Sequence, residues 1–76
     1  MIKIYGMKFK YIKDNLGLNE TFYIFGKYRL IEKPTRWKNF TWMAYHETKY
    51  VNPGYGDTPE KALRNLAIHL IKNYYI

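Results

Sequence analysis

Cysteine, serine and glutamine are absent from this 76-residue chain. Without cysteine there is neither a disulfide nor a thiolate metal site to reinforce the core. Without serine as well, two of the usual side-chain nucleophiles are missing. Acidic residues are scarce, six against thirteen Lys and Arg, which leaves a net charge of +7. No signal-peptide pattern opens the chain, and no apolar run approaches the ~20 residues needed to span a bilayer. These absences predict one soluble domain, residues 1–76, in the cytoplasm (the host cytoplasm were the chain viral), with no membrane partner. A chain this short buries only about 60% of its unfolded surface. The 20% aromatic content is therefore the material for the core, at roughly 150–250 Å² per covered ring.

The basic excess is uneven. Residues 1–50 hold ten Lys/Arg and four Asp/Glu, for +6, whereas residues 51–76 hold three and two, for +1. A pI near 9.7 meets the rough threshold for suspecting a nucleic-acid partner. Abundant Lys, Asn, Ile and Tyr is also the bias that AT-rich coding DNA produces, which is an alternative to function as the source of part of the Lys and Tyr excess.

Residues 2–13, IKIYGMKFKYIK, alternate apolar and basic side chains and predict a half-buried strand. Its phase slips at Tyr5-Gly6, which is read as a bulge or bend. Asp14-Asn15-Leu16-Gly17 is turn chemistry. Residues 21–33 predict a second, antiparallel strand, with Phe22, Ile24, Tyr28 and Leu30 on one face and Tyr23, Phe25, Lys27, Arg29 and Lys33 on the other. Pro34-Thr35-Arg36 leads to a third strand over about 37–51, with Phe40, Trp42 and Ala44 opposed to Thr41, Met43 and Tyr45. A helix from Thr58 to about Tyr74 follows. Thr58 suits the N-cap, Pro59 the first helical position, and Glu60 the positive end of the dipole. Ala62, Leu63, Leu66, Ala67, Leu70, Ile71 and Tyr74 form a single apolar stripe at helical spacing. The expected fold class is α+β: a three-stranded antiparallel sheet with one C-terminal helix packed on one face, βββα.

Gly54-x-Gly56-x-Thr58, with Ala62 and Ala67, resembles the C-terminal part of double-stranded-RNA-binding domains, where a lysine pair at the helix start grips phosphates. Here those positions are Pro59 and Glu60, preceded by Asp57, and carboxylates repel phosphate. The loop is therefore read as a turn that starts a packing helix. The stretch GDTPEKAL, Gly56 to Leu63, resembles the strand end and helix start of HicB-type antitoxins. A similar signature, paired with a Trp-x-Ala strand (here Trp42-Met43-Ala44), marks small phage-type βββα proteins. That resemblance covers about a third of the chain. It implies a phage or mobile-element accessory factor that inhibits or modulates a host complex, including host defence machinery.

One helix covers one face of the expected sheet. By alternation the other face displays Lys8, Lys10, Tyr23, Phe25, Lys27, Arg29, Thr41, Met43 and Tyr45. Such a surface suits docking onto a host protein or nucleoprotein complex, because Tyr, Phe, Met and Arg are enriched at interface centres. It also suits RNA or single-stranded DNA, whose bases stack on rings while cations track the phosphates. A homodimer through this face, or a merely solvated face, are the other readings. Stoichiometric docking is the leading expectation and nucleic-acid binding the alternative. No catalysis, cofactor or metal site is expected: His46 and His69 stand alone in sequence, and the carboxylates fall in turns or strand ends without pairing.

Overall fold

Two tight turns divide the expected strands. The computed structural model describes residues 1–15, 17, 20–33 and 41–74. Strand β1 (Ile2–Ile4) turns at Tyr5-Gly6 into β2 (Met7–Asn15), with Ile4 opposite Met7. Both turn residues have positive φ, +52° and +79°, as a two-residue turn matched to strand twist requires. Strand β3 (Glu20–Phe25) turns at Gly26-Lys27 into β4 (Tyr28–Glu32), with Phe25 opposite Tyr28 and Gly26 at φ +57°. Strands β5 (Trp42–His46) and β6 (Gly54–Gly56) and the helix α1 (Pro59–Tyr74) complete the order.

The sheet is thus six-stranded, in the order β1-β2-β3-β4-β5-β6, every neighbouring pair antiparallel, and it curls into a half-barrel around α1. The expectation of three strands is wrong. Residues 2–13 form parts of two strands, residues 21–33 form two more, and Gly54-Tyr55-Gly56, read as a turn, is an edge strand. The expected turn at Asp14-Asn15 is also displaced, since β2 continues through Asn15. Phe40 and the connection at Pro34-Thr35-Arg36 lie outside the described residues.

The turns decide which side chains share a face. Residues directly opposite in a ladder point the same way, so Phe25 and Tyr28, three apart in sequence, lie on one face. In an unbroken strand they would lie on opposite faces. The inner face, toward α1, accordingly collects Ile4, Phe9, Tyr23, Phe25, Leu30 and Ala44. On β2 the register shifts between Tyr11 and Lys13, a bulge at Ile12 that leaves Tyr11 inside and turns Lys13 outward.

Ile4, Phe9, Leu30 and Ala44 pack against Ala62, Leu63, Leu66 and Leu70 of α1. Phe9, Leu30 and Leu66 are the largest fully buried side chains, each contributing about 1.5–3 kcal/mol by leaving water. Ala67 and Ile71, expected in the buried stripe, are exposed; the side chain of Tyr74 is outside the described set. The helix start behaves as its sequence implies. The Lys61 N–H donates to Thr58 Oγ1 at 3.2 Å, and Lys61 Nζ pairs with Asp57 at 3.1 Å.

The two glycines of β6 are where the helix touches the sheet. A Cβ on Gly54 would sit 2.1 Å from the Ala62 carbonyl oxygen, and one on Gly56 2.6 Å from Lys61 Cβ. The backbone of α1 lies directly on that of β6, so this segment has its glycines for close approach. Asn65 adds a bond across the same contact, its Nδ2 donating to the Tyr55 carbonyl at 2.7 Å. His69 Nδ1–H reaches the Asn52 carbonyl at 2.8 Å.

Candidate interaction surface

The outer face of the half-barrel is built from the residues that alternate with the core. Across β3, β4, β5 and β6 the register places Phe22, Ile31, Met43 and Tyr55 in one row. A parallel row runs Lys10, Ile24, Arg29, Tyr45. Ile31 is buried at 5% exposure but stands outside the core cluster, so it is the covered centre of this outer row. Phe22, Ile24, Met43 and Tyr45 around it are half-buried. At the β2 end of the row, the Lys13 ammonium sits 5.2 Å from the centroid of the Phe22 ring.

Charge on this face is concentrated at β1 and β2. Lys3 lies directly opposite Lys8, a like-charge pair that costs stability, and Lys10 is two residues on. All three are exposed, and none has an ion pair among the described residues. Arg29 is differently placed. Its guanidinium pairs with Glu47 and donates from Nη1 to the Gly26 and Tyr28 carbonyls at 2.8 and 3.2 Å. It therefore fastens the Gly26-Lys27 turn and is already occupied. Lys33 pairs with Glu20 at 2.7 Å, with both side chains largely buried.

Of the residues expected on one surface, Lys8, Lys10, Arg29, Met43 and Tyr45 do share the outer face. Lys27 is exposed in the β3–β4 turn. Tyr23 and Phe25 lie on the opposite face, carried there by the phase change at Gly26-Lys27. Phe25 packs on Phe9 with ring centroids 5.6 Å apart. Tyr23 stands between Tyr11, at 6.4 Å, and Trp42, at 6.0 Å. Sequence reasoning missed Lys3, Lys13, Phe22, Ile24, Ile31 and Tyr55 as outer-face members. The signals were the glycines of the two turns, which invert the alternation.

The ring cluster on the inner face has acidic neighbours. The Tyr11 hydroxyl donates to Asp14 Oδ2 at 3.1 Å. Burial raises the Tyr23 hydroxyl above its ordinary pKa, and the charges of Glu32 and Asp14 add to the effect. Tyr11 is raised too, first by burial and then by Asp14. At the end of β5, His46 meets Tyr28 edge-on at 5.1 Å, and its Nδ1 accepts from the Thr48 N–H at 3.2 Å. Burial, followed by Lys49, Lys27 and Arg29, lowers its pKa below 6.5. His46 and Glu47 diverge: the first faces Tyr28 on the inner side, the second Arg29 on the outer.

Among the described residues no group of three His, Cys, Asp or Glu could hold a metal ion, and no helix is long and apolar enough to cross a membrane. Compared with known proteins, the chain matches no family model, no curated protein and no solved structure.

Proposed function

We propose that this chain is a non-catalytic binding protein that docks the outer face of its half-barrel onto a partner protein. The partner would present an apolar patch with an acidic rim. The observation that carries this reading is the half-buried apolar row centred on Ile31, with exposed lysines at its β1–β2 border. Lys3, Lys8 and Lys10 stand on the outer face beside the Phe22–Ile31–Met43 row. The ring cluster of Tyr11, Tyr23 and Trp42 lies on the inner face with Asp14 and Glu32. A binder of single-stranded nucleic acid needs stacking rings and phosphate-tracking cations along one groove. A protein interface is served by an apolar centre with charged residues at its border. The lysines would steer an acidic partner and the apolar row would hold it. An inhibitor or modulator of a host complex, the role implied by the phage-protein resemblance, would act through such a surface by occupancy.

The test compares the unchanged protein with Met43→Glu and with Lys8→Glu/Lys10→Glu as baits, after each is shown to fold by circular dichroism. The expected result is that one partner is recovered with the unchanged protein, lost with Met43→Glu, and captured more slowly with the double variant. Equal recovery of that partner by all three baits would remove the outer face from the account. Binding to mixed RNA or DNA oligonucleotides, weakening with a salt slope near −0.7 per neutralised phosphate, would replace the protein reading with the nucleic-acid one.

A further inference from the structure

A recess lies away from the outer face, where the β1–β2 hairpin curls past α1. It is a cleft of about 390 Å³, within the roughly 300–1,000 Å³ range of small-ligand sites. Leu63 and Leu70, each 5% exposed, form its floor. Met7, Tyr28 and Tyr5 form one wall and Ala67 the other, with Arg64 at the rim. The lining is almost wholly apolar, and a 76-residue chain has little apolar surface to spare from its core.

Two further features bear on what the cleft would hold. Tyr5 adopts φ +52°, a backbone region that non-glycine residues occupy under strain. Its hydroxyl donates across to the Glu60 carbonyl of α1 at 3.3 Å. The strained residue is therefore the one that bridges hairpin and helix beside the cleft. Arg64 is exposed and has no ion pair among the described residues, Glu60 one turn earlier included. An unpaired guanidinium at the rim of an apolar cleft complements a ligand with an apolar body and one planar anionic head.

We infer that the cleft between the β1–β2 hairpin and α1 binds a small amphipathic carboxylate, its apolar chain against Leu63, Leu70 and Met7 and its head on Arg64. This site is independent of the outer docking face, and its occupant would brace the hairpin against the helix.

Decanoate, kept below its micelle concentration, is a suitable probe by calorimetry and by amide chemical-shift mapping. Decanol serves as the uncharged control. The expected result is 1:1 binding of decanoate, with shifts centred on Met7, Leu63 and Ala67, and binding of decanol weaker by about tenfold. Ala67→Leu, at an exposed position, fills the cleft at little cost in helix propensity and should abolish binding. Arg64→Gln should bring decanoate down to the level of decanol. Lys8→Glu/Lys10→Glu should leave binding unchanged. Absence of saturable binding, or undiminished binding by a folded Ala67→Leu variant, would overturn the site. Equal binding of decanol and decanoate would overturn the role of Arg64 and with it the carboxylate. Loss of binding in the Lys8→Glu/Lys10→Glu variant would move the ligand to the outer face and refute the inference.

Discussion

Adding a single methyl group at Gly54 should remove a large share of this protein's stability. The new Cβ would lie 2.1 Å from the Ala62 carbonyl oxygen and 2.3 Å from the Leu66 nitrogen, whereas ordinary carbon contacts begin near 3.5 Å. Both obstacles are helix backbone, so no side-chain rotation relieves them. The helix must lift by about 1 Å or more along β6, which opens the contact among Ala44, Ala62 and Leu66, all 0% exposed. Overpacking a core costs about 1–3 kcal/mol and sometimes more; with backbone on the far side, about 3 kcal/mol or above is expected. A domain of 76 residues has about 4–11 kcal/mol in total, at ~0.05–0.15 kcal/mol per residue. Urea unfolding followed by far-UV circular dichroism measures the change. The thermal midpoint should fall by about 12–24 °C, at ~4–8 °C per kcal/mol. Gly17→Ala is the control, because among the described residues a Cβ there meets only Asn15 Oδ1, at 3.7 Å. A Gly54→Ala protein with the midpoint of the control would refute the packing of α1 on β6.

Two further outcomes follow from polar groups. Glu20 is 8% exposed and paired with Lys33 at 2.7 Å, so Lys33→Met should cost about 2–4 kcal/mol by stranding a buried carboxylate. The double variant Glu20→Gln/Lys33→Met should recover part of that loss in a thermodynamic cycle; strictly additive effects would show that the pair contributes no coupling. His46 is held below its ordinary pKa of 6.5, so under acid the unfolded chain binds its proton first. Stability should therefore be flat above about pH 6.5 and decline as pH falls through that value toward the lower folded pKa. His46→Gln should remove that step from a plot of urea midpoint against pH. An unchanged pH profile would sink the assignment.

Much of the second half of the chain was legible because its signals are local. Thr58, Pro59 and Glu60 mark the helix start by backbone chemistry that needs no tertiary context, and Trp42 and Ala44 oppose Met43 and Tyr45 as alternation implies. The first half misled for one reason. A two-residue hairpin turn puts its paired flanking residues three positions apart on the same face, so a continuous strand and a hairpin differ only in phase. Phe25-Gly26-Lys27-Tyr28 reads equally well as strand until the positive φ of Gly26 is known. At Tyr5-Gly6 the slip was visible, but a tyrosine in the left-handed region made a bend the more natural reading. Gly54-Tyr55-Gly56 concealed a strand, since glycine is depleted in strands and only the nearness of α1 explains it. The candidate surface inherited the phase error: Lys8, Lys10, Met43 and Tyr45 kept their expected company, while Tyr23 and Phe25 changed sides.

The bond from Asn65 to the Tyr55 carbonyl has a bearing on assembly. A sheet with two bare ends can recruit strands from other molecules and grow into a fibril. Here the terminal strand at one end already has a carbonyl engaged by a helix that lies across it. At the other end, β1 is three residues long and carries Lys3 beside Lys8, which repels an identical incoming chain. A protein built so largely of strand and ring residues thereby gains protection against polymerising with itself, and Asn65→Leu should reveal that protection as faster seeding in a fibrillation assay; unchanged seeding would refute it.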